Sequence, residues 1–115
     1  MQNDVLSWNV AIDKGFNPSM FPYTAEHVPV GNYDATLEFK IWAKKVMGIC
    51  CYFTQTETGK KFQLTVYRQP GSKKYTLDKS DKIDFTKTPI GRRYHLNVFI
   101  NEKGRIVFQE ASLMV

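Results

Sequence analysis

The chain is poor in cysteine: among 115 residues it has two, Cys50 and Cys51, and they are adjacent. Neighbouring residues of an extended strand point to opposite faces and their thiols join only through a strained ring, so no disulfide framework holds the chain together. Histidine is equally scarce, His27 and His95 alone, and no C-x-x-C or H-x-x-x-H spacing gathers ligands for a structural zinc. No segment reaches the roughly 18 apolar residues of a membrane span. The opening stretch, broken by Asp4 and Asp13, has no apolar run of signal-peptide length. These absences lead to the expectation of a soluble, cytoplasmic protein with no membrane partner. Heptads, internal repeats and low-complexity tracts are missing too. Gly59, Gly91 and Gly104 stand singly in turn contexts and form no phosphate-cradling pattern.

Basic residues are nearly absent from one end. Residues 1 to 34 hold Lys14 against Asp4, Asp13, Glu26 and Asp34, a net −3. Residues 35 to 75 hold eight basic groups against Glu38 and Glu57, a net +6, and residues 76 to 115 add seven against five, a net +2, which completes the formal +5. Positive charge gathered on one segment is the footprint expected of a partner for a polyanion. A solvated surface is the plainer explanation of the same charges.

What is abundant is apolar and aromatic side chain, 43% and 14% of the residues, enough for a core of the ordinary globular kind. A single domain over 1–115 is expected, with an N-terminal arm to residue 31 and a β core from 32. In the arm, Pro18, Pro22 and Pro29 remove backbone donors and fix φ, which excludes a long helix or a central strand between Gly15 and Gly31. Its Phe16, Met20, Phe21, Tyr23 and Val30 lead to the expectation that it packs on the domain or on a second copy, and an acidic arm beside a basic face is placed to cover that face. Val5–Ile12 reads as a short strand.

The most informative stretch runs from Ala35 to Arg68. Period-two alternation assigns Leu37, Phe39, Ile41 and Ala43 to one face and Glu38, Lys40, Trp42 and Lys44 to the other. Ile49, Cys51 and Phe53 oppose Cys50, Tyr52 and Thr54; Phe62, Leu64 and Val66 oppose Lys61, Thr65 and Tyr67. Thr56–Gly59 is a hairpin turn and Gly48 a turn or bulge. After an irregular stretch, Arg93–Asn101 alternates again, with Tyr94, Leu96, Val98 and Ile100 inward. A turn at 101–104 leads to a fifth strand with an irregularity near Gln109. The fold class expected is all-β: a five-stranded antiparallel barrel, which disposes of sheet edges, preceded by the arm.

Large rings are usually placed where they lose water, so rings on a polar, basic face need a reason. Bases of a single strand stack on such rings while lysine and arginine follow the phosphates. The candidate nucleic-acid-binding set is Trp42, Tyr52, Tyr67 and Phe99 as stacking platforms, with Lys40, Lys44, Lys61, Arg68 and Arg93 as phosphate partners. The same rings suit a protein interface, which is the alternative. Catalytic inventory is thin: Cys51 and His95 fall on opposite strand faces, and Asp78, Asp81 and Asp84 lack the spacing of a calcium loop. No enzyme activity, cofactor or metal is expected.

The segments YFTQTETGKKFQLTVYR and GRRYHLNVFINEKGRIVFQEA, two hairpins behind a long first strand, resemble those of single-stranded-DNA-binding OB-fold modules. The resemblance covers Asn32 to Ser112 at the level of fold. It implies a small OB-like barrel that binds single-stranded nucleic acid, DNA ahead of RNA, with little sequence preference. A homodimer contact or a replication or recombination protein are the further partners it allows. The apolar tail Glu110–Val115 departs from the acidic tail of bacterial members, so the implied setting is phage or mobile-element DNA metabolism.

Overall fold

The computed structural model describes residues 5–22, 28–43, 47–68, 75–76, 84–100, 102 and 106–114. In chain order these form β1 (Val5–Leu6), α1 (Trp8–Asp13), a 3-10 turn (Pro18–Met20), β2 (Gly31–Ala43), β3 (Gly48–Gln55), β4 (Lys61–Arg68), β5 (Tyr75–Thr76), β6 (Arg93–Ile100) and β7 (Ile106–Leu113). Lys44 and the carboxylates Asp78 and Asp81 lie outside the described residues.

The structure is mainly β, and the five long strands are those expected from the alternation. β2, β3 and β4 form an antiparallel meander, and β6 and β7 form the second hairpin on the other side of β2. The order is β5-β4-β3-β2-β6-β7, with β1 beside β2. Two expectations are corrected. The sheet is not closed into a barrel: it ends at the two-residue β5 on one side and at β7 on the other. Nor is it wholly antiparallel, because Val5 and Leu6 run parallel to Lys40 and Ile41. A parallel neighbour needs a long crossover, which the whole stretch from α1 to the first half of β2 supplies.

Val5–Ile12 divides between β1 and α1 and is no single strand. Ser7 accepts from the Val10 N–H at 3.4 Å and starts the helix, and Gly15, at φ +96°, ends it. The Thr56–Gly59 turn forms as read: Gly59 takes φ +73° and donates to the Gln55 carbonyl at 2.8 Å. The irregularity near Gln109 is also present, since Asn97 pairs with Glu110 but Val98 pairs with Phe108.

One feature of β2 is invisible to period-two reading. Leu37 pairs with Phe53 and Phe39 pairs with Tyr52, so Glu38 is an extra residue opposite no partner, a β-bulge. Directly opposed residues share a face, so every side chain after Glu38 is on the face opposite to the one alternation assigns. Leu37 enters the main core with Phe53, Phe62, Leu64, Val66 and Leu96. Phe39 and Ile41 turn to the other face, where Ala11, Phe16 and Phe21 cover them together with Tyr52. The described residues thus form two apolar clusters, one on each side of the sheet. The arm packs on the domain, as expected from its rings.

Candidate nucleic-acid interface

The bulge decides where the candidate residues go. Lys40, opposite Cys51, points into the main core and is fully buried. Its ammonium donates to the carbonyl of Phe85 at 2.9 Å and to that of Thr88. A charge in such a place is tolerated only because it is hydrogen-bonded, and the carbonyls of a loop have no ladder to bond to, so each side satisfies the other. Thr88 Oγ1 donates to Phe85 O and the Tyr94 hydroxyl to Pro89 O, which fixes the same loop against the sheet. Lys40 is therefore a structural cation and is not at the surface for a phosphate, contrary to the reading of alternation.

Tyr52 is corrected for a different reason. Its parity was read correctly, but the face it occupies is covered. Phe16 meets it edge-on at 4.7 Å between centroids and Phe21 at 5.4 Å, leaving Tyr52 4% exposed. Burial pushes its hydroxyl pKa up, with the neighbouring Cys50 acting in the same direction. On the opposite face Cys51 is fully buried, and burial raises its thiol pKa against a smaller lowering by Lys40. Cys51 and His95 do occupy opposite faces, since Cys51 shares the core with Leu96 while His95 pairs across the ladder with Asp34, Nδ1 to Oδ1 at 3.0 Å.

Of the remaining candidates, three converge. Gly48 is opposite Tyr67, and Trp42 is opposite Ile49, which is opposite Val66. Trp42, Tyr67 and Arg68 thus share one end of the β2–β3–β4 meander, beside the turn that carries Met47. The Arg68 N–H donates to Met47 O at 3.0 Å and closes that end. Trp42 is 39% exposed and Tyr67 46%. They reach the end from opposite faces: Trp42 shares a face with Ile49, and Tyr67 shares the other with Thr65 and Gln63.

Gly48 takes ordinary strand geometry and does not need φ > 0. It is required by close approach, because a Cβ there would be 2.9 Å from Val66 O and 3.2 Å from Tyr67 Cδ1. The Tyr67 ring lies over this bare backbone, an arrangement that shields a strand glycine while keeping the ring's outer side in water. Gly48 is the residue that sequence reading missed here, and its signal was a glycine opposite an aromatic once the hairpin register was set.

The others are apart. Lys61 and Arg93 end a row on one face, Arg93–Thr36–Thr54–Lys61, in register across four strands. Arg93 is exposed, but Lys61 is engaged within the fold. Its ammonium donates to Thr54 Oγ1 at 2.9 Å, is 3.5 Å from Glu38 Oε2, and sits 5.2 Å from the centre of the Phe21 ring. Phe99 is exposed next to Val98, which pairs with Gly31 at the start of β2. Eleven residues of strand separate that point from Trp42, roughly 35 Å. Among the described residues no helix is long and apolar enough to cross a membrane. Comparison of the chain with protein-family models, with curated proteins and with solved structures finds no match.

Proposed function

We propose that this protein binds single-stranded nucleic acid, DNA ahead of RNA, at the end of the meander where Trp42, Tyr67 and Arg68 meet. The observation that carries the reading is the pair of exposed rings on the two faces of one sheet end, with the exposed Arg68 next to Tyr67 at the end of β4. Two rings set this way offer stacking to successive bases of a strand that bends around the tip, each worth about 1 to 3 kcal/mol. Arg68 supplies a phosphate contact, and the net +6 of residues 35 to 75 favours the approach of a polyanion. Phage or mobile-element DNA metabolism is the setting that the OB-like resemblance of the two hairpin segments suggests. The binding is non-catalytic in this reading.

A second reading, a protein-interaction module, is favoured by one observation. Several large apolar side chains of the arm are left partly in water: Trp8, Val10 and Ile12 are each about two-fifths exposed, and Met20 is half exposed. Such a surface suits a protein partner more than a phosphate backbone. Salt separates the two. Fluorescence anisotropy of a labelled oligo(dT) 20-mer should show affinity falling steeply between 50 and 200 mM salt, and Arg68→Ala should reduce the slope of log affinity on log salt by about 0.7. Binding that ignores salt would favour the protein-interaction reading.

A further inference from the structure

Beneath the arm lies a face with the chemistry that the sequence suggested for the open surface. Phe39 and Tyr52 are directly opposed on β2 and β3, and Tyr52 is opposite Gln63, which lies on the same side of β4 as Tyr67, four residues along the strand. Lys61 borders them on that side. The arm occupies this face with two rings of its own. Phe16 packs at 4.7 Å on Tyr52 and 5.2 Å on Phe39, and Phe21 packs on Tyr52 with the Lys61 ammonium 5.2 Å from its centre. Rings seated on strand rings, one of them beside a cation, are what a short run of stacked bases would present in the same place.

The arm itself has little to hold it in isolation. α1 has six residues and the following 3-10 turn three, far below the length at which a helix is stable alone. The arm buries Ala11, Phe16 and Phe21 against the sheet, while Trp8, Val10, Ile12 and Met20 are partly exposed. Residues 7–21 hold Asp13 and Lys14 and carry no net charge, so this part of the arm resembles its proposed competitor in its rings, not in its charge.

We infer that residues 7–21 are a displaceable cover, and that single-stranded nucleic acid competes with them for the face of Phe39, Tyr52 and Tyr67. This rests on the nucleic-acid reading above and extends its site from the tip of the meander onto that face. The arm sets affinity through the fraction of molecules in which it is open.

Hydrogen exchange on the unaltered protein, with and without saturating oligo(dT) 20-mer and with binding followed by anisotropy in the same samples, decides the matter. The amides of Ala11, Lys14 and Phe16, which donate to the carbonyls of Ser7, Val10 and Ala11, should exchange about tenfold faster or more in the complex. The amides of β3 and β4 should stay protected. Phe16→Ala, if folded, should bind about tenfold more tightly, because the open fraction rises. Binding with the arm as protected as before, or more so, overturns the displacement and leaves the Trp42–Tyr67 site standing; so does unchanged or weaker binding by folded Phe16→Ala. Binding by Phe16→Ala alone supports the cover. No binding by either protein overturns both the cover and the reading on which it rests.

Discussion

Lys40 and Phe85, forty-five residues apart, are joined by a hydrogen bond of 2.9 Å from the buried ammonium to the backbone carbonyl. The bond exists because the bulge at Glu38 turns Lys40 inward, and it ties the loop before β6 to the middle of β2. Lys40→Ala should take the ammonium donor from the Thr88 carbonyl, leave Phe85 O with Thr88 Oγ1 alone and open a cavity, lowering stability by about 3 kcal/mol or more in urea unfolding. In the fraction that remains folded, the salt slope of oligonucleotide binding should not change. A loss of slope with intact stability would return Lys40 to the surface.

Gly48→Ala tests the tip of the meander. The new methyl group meets Val66 O and the Tyr67 ring, so a loss of about 1 to 3 kcal/mol is expected by urea unfolding. Oligonucleotide affinity should fall with it, because Tyr67 must move. A stable variant with unaltered binding would show that the ring's seat on Gly48 has no part in either.

Alkaline unfolding follows from the buried thiol and phenols. The Cys51, Tyr33 and Tyr52 pKa values are raised by burial, so the folded protein keeps these protons to higher pH than the unfolded chain. Their contribution is complete below the unfolded thiol pKa of about 8.5 and is lost as pH rises above it. Urea midpoints should fall steadily between about pH 9 and 11. Cys51→Ala should flatten that fall by up to about 1.4 kcal/mol per pH unit, whatever its effect at neutral pH. An identical pH dependence in the variant would place the thiol in contact with water.

Much of the fold was legible because its strands obey simple rules. Phe62, Leu64 and Val66 alternate inward, Tyr94, Leu96 and Val98 do the same, and Gly59 marks its turn. The rings of Phe16 and Phe21 announced an arm that packs. Two parts of the candidate site were not legible. A bulge reverses parity without any residue type that signals it, so Lys40 looked outward and Phe39 inward. Tyr52 was on the face expected, but alternation describes one strand and carries no information on what lies above it. Ile100, at the end of β6, was read as inward and is 54% exposed, since the core ends before the strand does. Closure of the sheet was inferred from the need to protect edges, a need that does not dictate one solution.

The central claim is that single strands bind at the Trp42–Tyr67 end. Its most direct measurement is a titration of labelled oligo(dT) 20-mer, at low salt, into protein shown to be folded and free of nucleic acid, using the unaltered chain and Tyr67→Ala. The account requires saturable binding that quenches tryptophan fluorescence, weakened by about 1 to 3 kcal/mol in Tyr67→Ala with stability unchanged. No binding of the 20-mer by the unaltered protein would contradict it.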